Sequence, residues 1–358
     1  MLNSDGICLP CRNAKTKHED IDWPARAAAL RKVVETARSR SRGRYDCVIP
    51  VSGGKDSTWQ VVECLDLGLK PLCVTWKTPA RTELGQRNLD NLVRLGVDHI
   101  DYQINPKVEK IFMYKSLVRF GSTAVPMHMA MFNIPLTIAL RFQIPLIVWG
   151  ENSAFEYGTS SGEDEGFRLT SRWLQEHGNT FGTTAQDWIS DELTERDLTP
   201  YWGPTPEELQ RNSIVAIFLG YYLKWDPENT LRVSKAHGFH VREAGPKTGY
   251  WNYADIDDDF ISIHHYIKWY KFGCTRLFDN LSVEIRNGRV SRAEAIEIVR
   301  RLGEQRPVED IAKLCRFLEI NESHFDDVLE TFRNKNIWTK SDGVWKIKDF
   351  IIPDWKWI

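Results

Sequence analysis

The chain has 358 residues, 42% of them hydrophobic and 27% charged, with a formal net charge of −2. That length allows two domains, or one large domain with extensions, and the near-neutral balance argues against a protein that coats nucleic acid. No apolar run approaches the ~18 residues of a membrane span and no signal-peptide core opens the chain, so a cytoplasmic protein is expected.

Residues 1–44 read as a leader, locally basic with ten Lys/Arg against five Asp/Glu. Within it, Pro24 to Arg38 has the apolar spacing of a helix and 39–44 the character of a linker. From Tyr45 strand and helix patterns alternate, which predicts a doubly wound α/β domain over 45–223 with a parallel sheet covered on both faces. Strands are expected at 46–51, 71–76, 99–104, 145–149 and 213–220. Helices are expected near 57–67, 82–95, 108–119 and 128–142. Residues 153–206 show little periodicity and read as an irregular insertion of the kind that forms substrate lids, with 158–166 polar and flexible in character. From 224 to 358 the chain reads as mainly helical, with tracts near 258–273, 292–303, 308–318 and 322–334, and ends in a Trp-rich tail. Seven cysteines, at 8, 11, 47, 64, 73, 274 and 315, are an odd set mostly embedded in apolar runs, as expected of reduced thiols that behave as small hydrophobes.

The chemistry concentrates in Ser52-Gly53-Gly54-Lys55-Asp56-Ser57. A strand that passes through a glycine pair into a helix N-terminus makes an anion site, because backbone N–H groups converge there and the helix dipole adds positive charge. Walker A spacing fails, since Asp56 follows Lys55 and no glycine lies five residues before Gly54, and a dinucleotide G-x-G-x-x-G is also absent. Gly53 and Gly54 are expected to offer backbone donors, Ser52 and Ser57 hydroxyls, and Lys55 a cation. Asp56 is expected to hold Mg²⁺ or to brace the loop. At the next strand end Thr75 and Trp76 are candidates for adenine or ribose contact, or for strand-end packing. Arg87 and Asn88, opening the following helix, are candidates for ligand contact or for a solvated first turn.

A second strand end, Trp149-Gly150-Glu151-Asn152, points toward the same crevice. Gly150 is placed with the nucleotide, Glu151 as a Mg²⁺ ligand or the group that orients an incoming amine, and Asn152 and Glu156 with the substrate. The alternative for Asn152 is a helix cap. In the C-terminal region, four aspartates at 255 and 257–259 precede His264-His265; together they read as metal ligands, or, for 257–259, as helix-start charges. Lys268 to Arg276 interleaves cations with aromatics, which suits a nucleotide-sugar, a nucleic acid or a packed amphipathic helix; His264, Lys268 and Lys271 are taken as substrate candidates. Cys8-x-x-Cys11 is half a zinc site, and His18 is the nearest further donor.

The loop resembles the PP-loop of the ATP pyrophosphatase superfamily, whose members cleave ATP between the α and β phosphates. With Cys8-x-x-Cys11, Ile21-Asp22-Trp23, Gly85 to Leu89, Leu95 to His99, Ile144 to Asn152, Asp259 to Tyr266 and Lys268 to Gly273, the chain resembles, over nearly its whole length, the N-acetyl sugar amidotransferases of that superfamily. These serve bacterial lipopolysaccharide O-antigen and pseudaminic-type pathways. The resemblance implies a PP-loop fold of the adenine nucleotide α-hydrolase type. It also implies ATP with Mg²⁺, adenylation of an acetamido oxygen and its replacement by ammonia-derived nitrogen to give an acetamidino group. The ammonia would come from a glutaminase with a cyclase-like subunit. Relatives carry a second cysteine pair where this chain reads Pro126-Met127-His128-Met129-Ala130-Met131, which leaves a four-cysteine zinc site without half its ligands. Two rivals stand beside this reading: a tRNA-modifying PP-loop enzyme that adenylates a base carbonyl, and a non-catalytic nucleotide-binding scaffold.

Overall fold

The computed structural model describes residues 3–41, 44–158, 167–303, 306–348 and 350–352. Most of the polar 158–166 stretch, two residues of the 39–44 linker and the end of the Trp-rich tail lie outside the described residues. The chain divides into two compact units, one of Met1–Val108 with Val125–His240 and one of Glu109–Ala124 with Val241–Ile358.

The first unit is built on five parallel strands, β1 (Cys47–Pro50), β2 (Pro71–Trp76), β3 (Asp98–Tyr102), β4 (Leu146–Trp149) and β5 (Val215–Phe218), in the order β3-β2-β1-β4-β5. The parallel pairs register Val48 with Leu72 and Ile147, and Val148 with Ile217. Every residue of β4 is buried, as expected of a strand covered on both faces. Its helices are α1 (Leu9–Glu19), α2 (Trp23–Ser41), α3 (Lys55–Asp66), α4 (Glu83–Val93) and α6 (Val125–Phe142). They are followed by the short α7 (Ser153–Tyr157), α8 (Ser171–His177), α9 (Pro206–Arg211) and α10 (Leu219–Tyr222), and by α11 (Pro227–Ala236). Alternation along the strands sorts the sheet faces. Cys47, Ile49, Val51, Cys73, Leu146, Val148 and Ile217 meet Leu30, Val34 and Ala37 of α2, Trp59, Val61 and Cys64 of α3 and Leu89 and Leu92 of α4 in one core. Helix α6 packs on β1, β2 and β4, and α11 lies on α3. Burying side chains such as Ile49 and Val61, both at 0% exposure, contributes about 1.5–3 kcal/mol each.

The leader is part of this unit, because α2 supplies core residues to it. The thiols of Cys47, Cys64 and Cys73 are free and buried. Burial drives the Cys73 thiol far above its ordinary value, while a hydrogen bond with Cys64 and then burial do the same for Cys47. The described residues of the insertion are more ordered than its lack of periodicity predicts. The Trp173 ring of α8 packs tilted on Phe218, centroids 5.1 Å apart, and edge-on to Phe132 at 5.7 Å, and Trp188, Leu193, Leu198 and Tyr201 are buried. Short helices bounded by turns, with aromatics spaced for neighbours distant in sequence, leave no 3.6-residue signal to read.

The second unit holds the later part of α5 (Pro106–Phe120), then α12 (Ile261–Phe272), α13 (Arg276–Arg286), α14 (Arg292–Leu302), α15 (Val308–Leu318) and α16 (Glu322–Thr331). A two-stranded antiparallel hairpin, β6 (Trp338–Ser341) with β7 (Val344–Ile347), closes it. The 276–286 helix and this hairpin were not anticipated. Leu277, Leu281, Ala295 and Val299 form a core between α13 and α14. Helix α12 packs on α15 and α16. Two contacts tie residues 109–124 into the unit: Lys271 Nζ donates to the Phe120 carbonyl at 2.8 Å, and the Tyr114 hydroxyl meets His324 Nε2 at 3.1 Å. The compact units therefore part between 240 and 241, seventeen residues beyond the expected 223/224 boundary.

Candidate nucleotide site in the first unit

In the order β3-β2-β1-β4-β5 the strand sequence reverses between β1 and β4, so the crevice that binds ligands in open parallel sheets opens at their carboxyl ends. Both predicted loops emerge there. After β1 the chain turns through Gly53 at φ +87°, where a Cβ would stand 2.8 Å from the Leu89 nitrogen and 2.9 Å from the Gly85 carbonyl oxygen. Only glycine satisfies both the backbone angle and the approach of α4. Gly54 N–H donates to Ser52 Oγ at 3.2 Å, and the Ser57 hydroxyl donates to the Gly54 carbonyl at 3.0 Å, so the loop is braced from within before α3 begins at Lys55. The Ser234 hydroxyl of α11 holds the Lys55 carbonyl at 2.6 Å.

Lys55 is 4% exposed, and its ammonium bridges both oxygens of Asp56, at 2.7 and 2.6 Å. Asp56 also accepts from the Trp225 indole N–H at 2.9 Å. On the other side of the switch point, Gln60 of α3 donates to the Val148 carbonyl at 3.3 Å and stands against Gly150. The Gly150 carbonyl accepts from Gly220 N–H at 3.0 Å, so the β4 and β5 loops are joined. Burial first and the Asp56 carboxylate second push Glu151 up to about 7, with Glu156 adding to the rise and Lys55 opposing it. A carboxyl poised near neutrality in a crevice has the affinity expected of a general acid or base.

Several predicted residues are committed elsewhere. Thr75 is 4% exposed, donates to the Val51 carbonyl at 2.6 Å and meets His99 Nε2 at 2.9 Å, so it fastens β1 to β2 and is strand-end packing. Trp76 is half-buried at the end of β2, and Arg87 is exposed on α4. Asn88 is 1% exposed and exchanges two 2.9 Å hydrogen bonds with the backbone of His240, which anchors the end of the unit rather than a ligand. Asn152 caps α7, its Oδ1 accepting from Ala154 and Phe155 N–H and from the Trp173 indole. Glu156 pairs with Lys17 at 2.6 Å. Sequence reading missed Lys17, Gln60, Trp225 and Ser234; Trp225 alone had a signal, since it follows the expected fifth strand on the crevice side.

In the second unit, Lys268 pairs with Asp279, Lys271 with the Phe120 carbonyl, and Arg276 with Asp255 at 2.9 Å. Tyr266 and Trp269 are buried. The cation–aromatic run is thus a packed helix. His264 lies against His265, ring centroids 5.3 Å apart. The acidic cluster is divided among separate partners: Asp259 takes Lys247 and Lys313, and Asp258 accepts from Phe260 N–H at 2.8 Å. Asp255 and Asp259 are thus taken up by cations, and Asp257–Asp259 lie just before α12 begins at Ile261. Among the described residues no group of three His, Cys, Asp or Glu side chains could hold a metal ion. Cys8 and Cys11 stand 3.3 Å apart, sulfur to sulfur, and that donor set does not fit a closed zinc site. Among the described residues no helix is long and apolar enough to cross a membrane. An open depression lined by Glu195, Arg196, Thr199 and Trp202 shares no residue with the cluster around Asp56.

Residues 247–351 match the family model described as "LPS biosynthesis protein WbpG-like, C-terminal domain". The matched segment contains Asp259 to Tyr266 and Lys268 to Gly273, two of the stretches that carry the resemblance read from the sequence. Among solved structures, that of NMN synthetase from Francisella tularensis is similar at 14% identity, over 61% of this chain and 94% of that chain, with a TM-score of 0.28. No curated protein matches the chain.

Proposed function

We propose that this chain, whose residues 247–351 match the WbpG-like C-terminal domain model of lipopolysaccharide biosynthesis, is an ATP-dependent, AMP-forming amidotransferase acting on an N-acetylated nucleotide-sugar. The observation that carries the reading is the juxtaposition at the β1/β4 switch point. A braced S-G-G-K-D-S loop with a buried lysine lies beside a carboxyl held near neutrality.

The loop N–H groups, the Ser52 and Ser57 hydroxyls and Lys55 take the β,γ-phosphates of ATP. The acetamido oxygen attacks the α-phosphorus and pyrophosphate leaves with the electron pair of the α,β bridge. Fixed donors and the lysine stabilise that departing charge without reorganisation. Ammonia then adds to the activated amide carbon, the carbon–oxygen bond breaks, and AMP departs with the former acetamido oxygen. Glu151, as carboxylate, accepts a proton from the incoming nitrogen. The product is an acetamidino group, cationic at neutral pH. Asp56 is the side chain here that would hold Mg²⁺, a hard cation that keeps several waters and phosphate oxygens and would neutralise phosphate charge. A glutaminase with a cyclase-like subunit supplies the ammonia.

The test incubates the protein with ATP, Mg²⁺, ammonium and a panel of diacetamido nucleotide-sugars. AMP and pyrophosphate should appear together with a sugar product lighter by the difference between O and NH. AMP release with no sugar of altered mass, and with tRNA as the stimulating substrate, would replace this reading by the tRNA one. Binding of ATP with no pyrophosphate release under any of these conditions would leave the scaffold.

A further inference from the structure

Helix α1 is a polar helix, Leu-Pro-Cys-Arg-Asn-Ala-Lys-Thr-Lys-His-Glu, and its one fully buried residue is a lysine. Lys17 is 3% exposed. Its ammonium pairs with Glu156 of α7 at 2.6 Å and stands 5.1 Å from the centroid of the Trp225 ring. The Lys55 ammonium stands 5.4 Å from the same centroid, and the indole N–H of that ring holds Asp56. Two lysines, each held by a carboxylate, therefore meet on one indole beside the loop.

Anchoring α1 does not account for this arrangement. The helix is already fixed by Asn13, whose side-chain amide donates to the Phe155 carbonyl at 2.8 Å, and by Pro10, which fills the space beside Gly158. His18 and Lys224 add a 3.0 Å contact. A buried ion pair roughly breaks even against apolar packing, since desolvation of both ions offsets their attraction. Burial pushes the Lys17 ammonium below the usual lysine value against the pull of Glu156, so the position is costly to a cation. A polyanion entering the crevice would repay that cost by taking both ammonium groups from their carboxylates.

We propose that Lys17 is the second phosphate-binding cation of the site, delivered by α1, and that its ligand is the pyrophosphate portion of a nucleoside triphosphate. This rests on the reading of the Ser52–Ser57 loop as a pyrophosphate cradle. Glu156 is the counter-ion that keeps Lys17 charged when the site is empty, and α1 is an integral wall of the site.

The experiment is calorimetric titration of the full-length protein with inorganic pyrophosphate and, separately, with AMP, both in Mg²⁺. Lys17→Met alone would strand a buried carboxylate, so the informative variant is the double one, K17M/E156Q, with K17R as the charge-preserving control. The double variant should bind pyrophosphate about tenfold more weakly, the size of one lost charge-assisted hydrogen bond, with AMP affinity unchanged and K17R close to the parent. E156Q alone, which frees Lys17 from its competitor, should tighten pyrophosphate. Equal pyrophosphate affinity in the parent and the double variant would overturn this inference alone. Failure of the parent to bind pyrophosphate would overturn the loop reading and this inference with it.

Discussion

At the scale of single residues the site depends on geometry that tolerates little change. A methyl group at Gly53 would have to sit at φ +87° against the backbone of Leu89 and Gly85. Gly53→Ala should therefore cost on the order of 2 kcal/mol and abolish ATP binding, read by chemical denaturation and by titration with the nucleotide. Glu151 makes a prediction about pH. With its carboxyl raised to about 7, the basic form required for proton acceptance is lost as pH falls through that value. The kcat/KM for amide conversion should rise with pH through an apparent pKa near 7. Glu151→Gln should lower kcat about 10²–10⁴-fold and remove that limb, while pyrophosphate binding persists. A variant that keeps the limb would show that another group titrates. These residues were legible because a Gly-Gly turn and a carboxylate at a strand end carry their chemistry in their type. Asn152 was legible only as one of two alternatives. An Asn before a helix is a good cap and a good amide-binder alike, and the presence of Ala154 and Phe155 N–H within reach decided for the cap.

Elements show the opposite balance. The strands and long helices of the first unit follow from hydrophobic period, and β2 begins and ends at the expected residues, Pro71 and Trp76. Helix α13 was missed, although Leu277 and Leu281, four residues apart on one face, are buried. The Asp255–Arg276 pair fixes its first turn. Burial by itself would raise the Asp255 carboxyl, but Arg276 and then His265 outweigh it and hold the group well below the usual carboxylate range. A depressed carboxylate contributes stability that is present above the unfolded value and lost as pH falls, so acid should weaken the second unit below about pH 4. Asp255→Asn should cost about 3 kcal/mol at neutral pH and flatten that acid limb, measured by thermal unfolding between pH 3 and 7. An unchanged limb would place the acid sensitivity at Asp259 or elsewhere. Helix α1 follows the same rule as α13. Its buried residue is a lysine, a type that ordinarily marks a solvated face, and no periodicity announces it.

For the whole molecule, the discontinuity of the second unit has a consequence. Residues 109–124 lie in the first half of the chain but find their partners at Lys271, His324 and Phe332. A fragment of residues 1–240 should therefore expose the 109–124 segment and unfold or aggregate. A fragment that retains the first unit's residues but replaces 109–124 by a flexible linker should be soluble and bind pyrophosphate. Hydrogen exchange over 109–124 in the 1–240 fragment and pyrophosphate titration of the linker fragment check this, and protection of that segment in the 1–240 fragment would contradict it. By itself, the sequence determined what depends on local pattern and residue type: the α/β alternation, the parallel sheet it requires, the Gly-Gly turn between strand and helix and the carboxylate-bearing strand end. The tertiary structure alone decided what depends on partners distant in the chain. It brought Lys17 and Trp225 to Lys55 and Asp56 and placed 109–124 with the C-terminal helices. It also turned Thr75, Asn88 and the cations of 268–276 from candidate ligand contacts into structural ties. The physical reason is that a polar side chain's role is set by which donor, acceptor or charge reaches it, and only the folded chain assigns those neighbours.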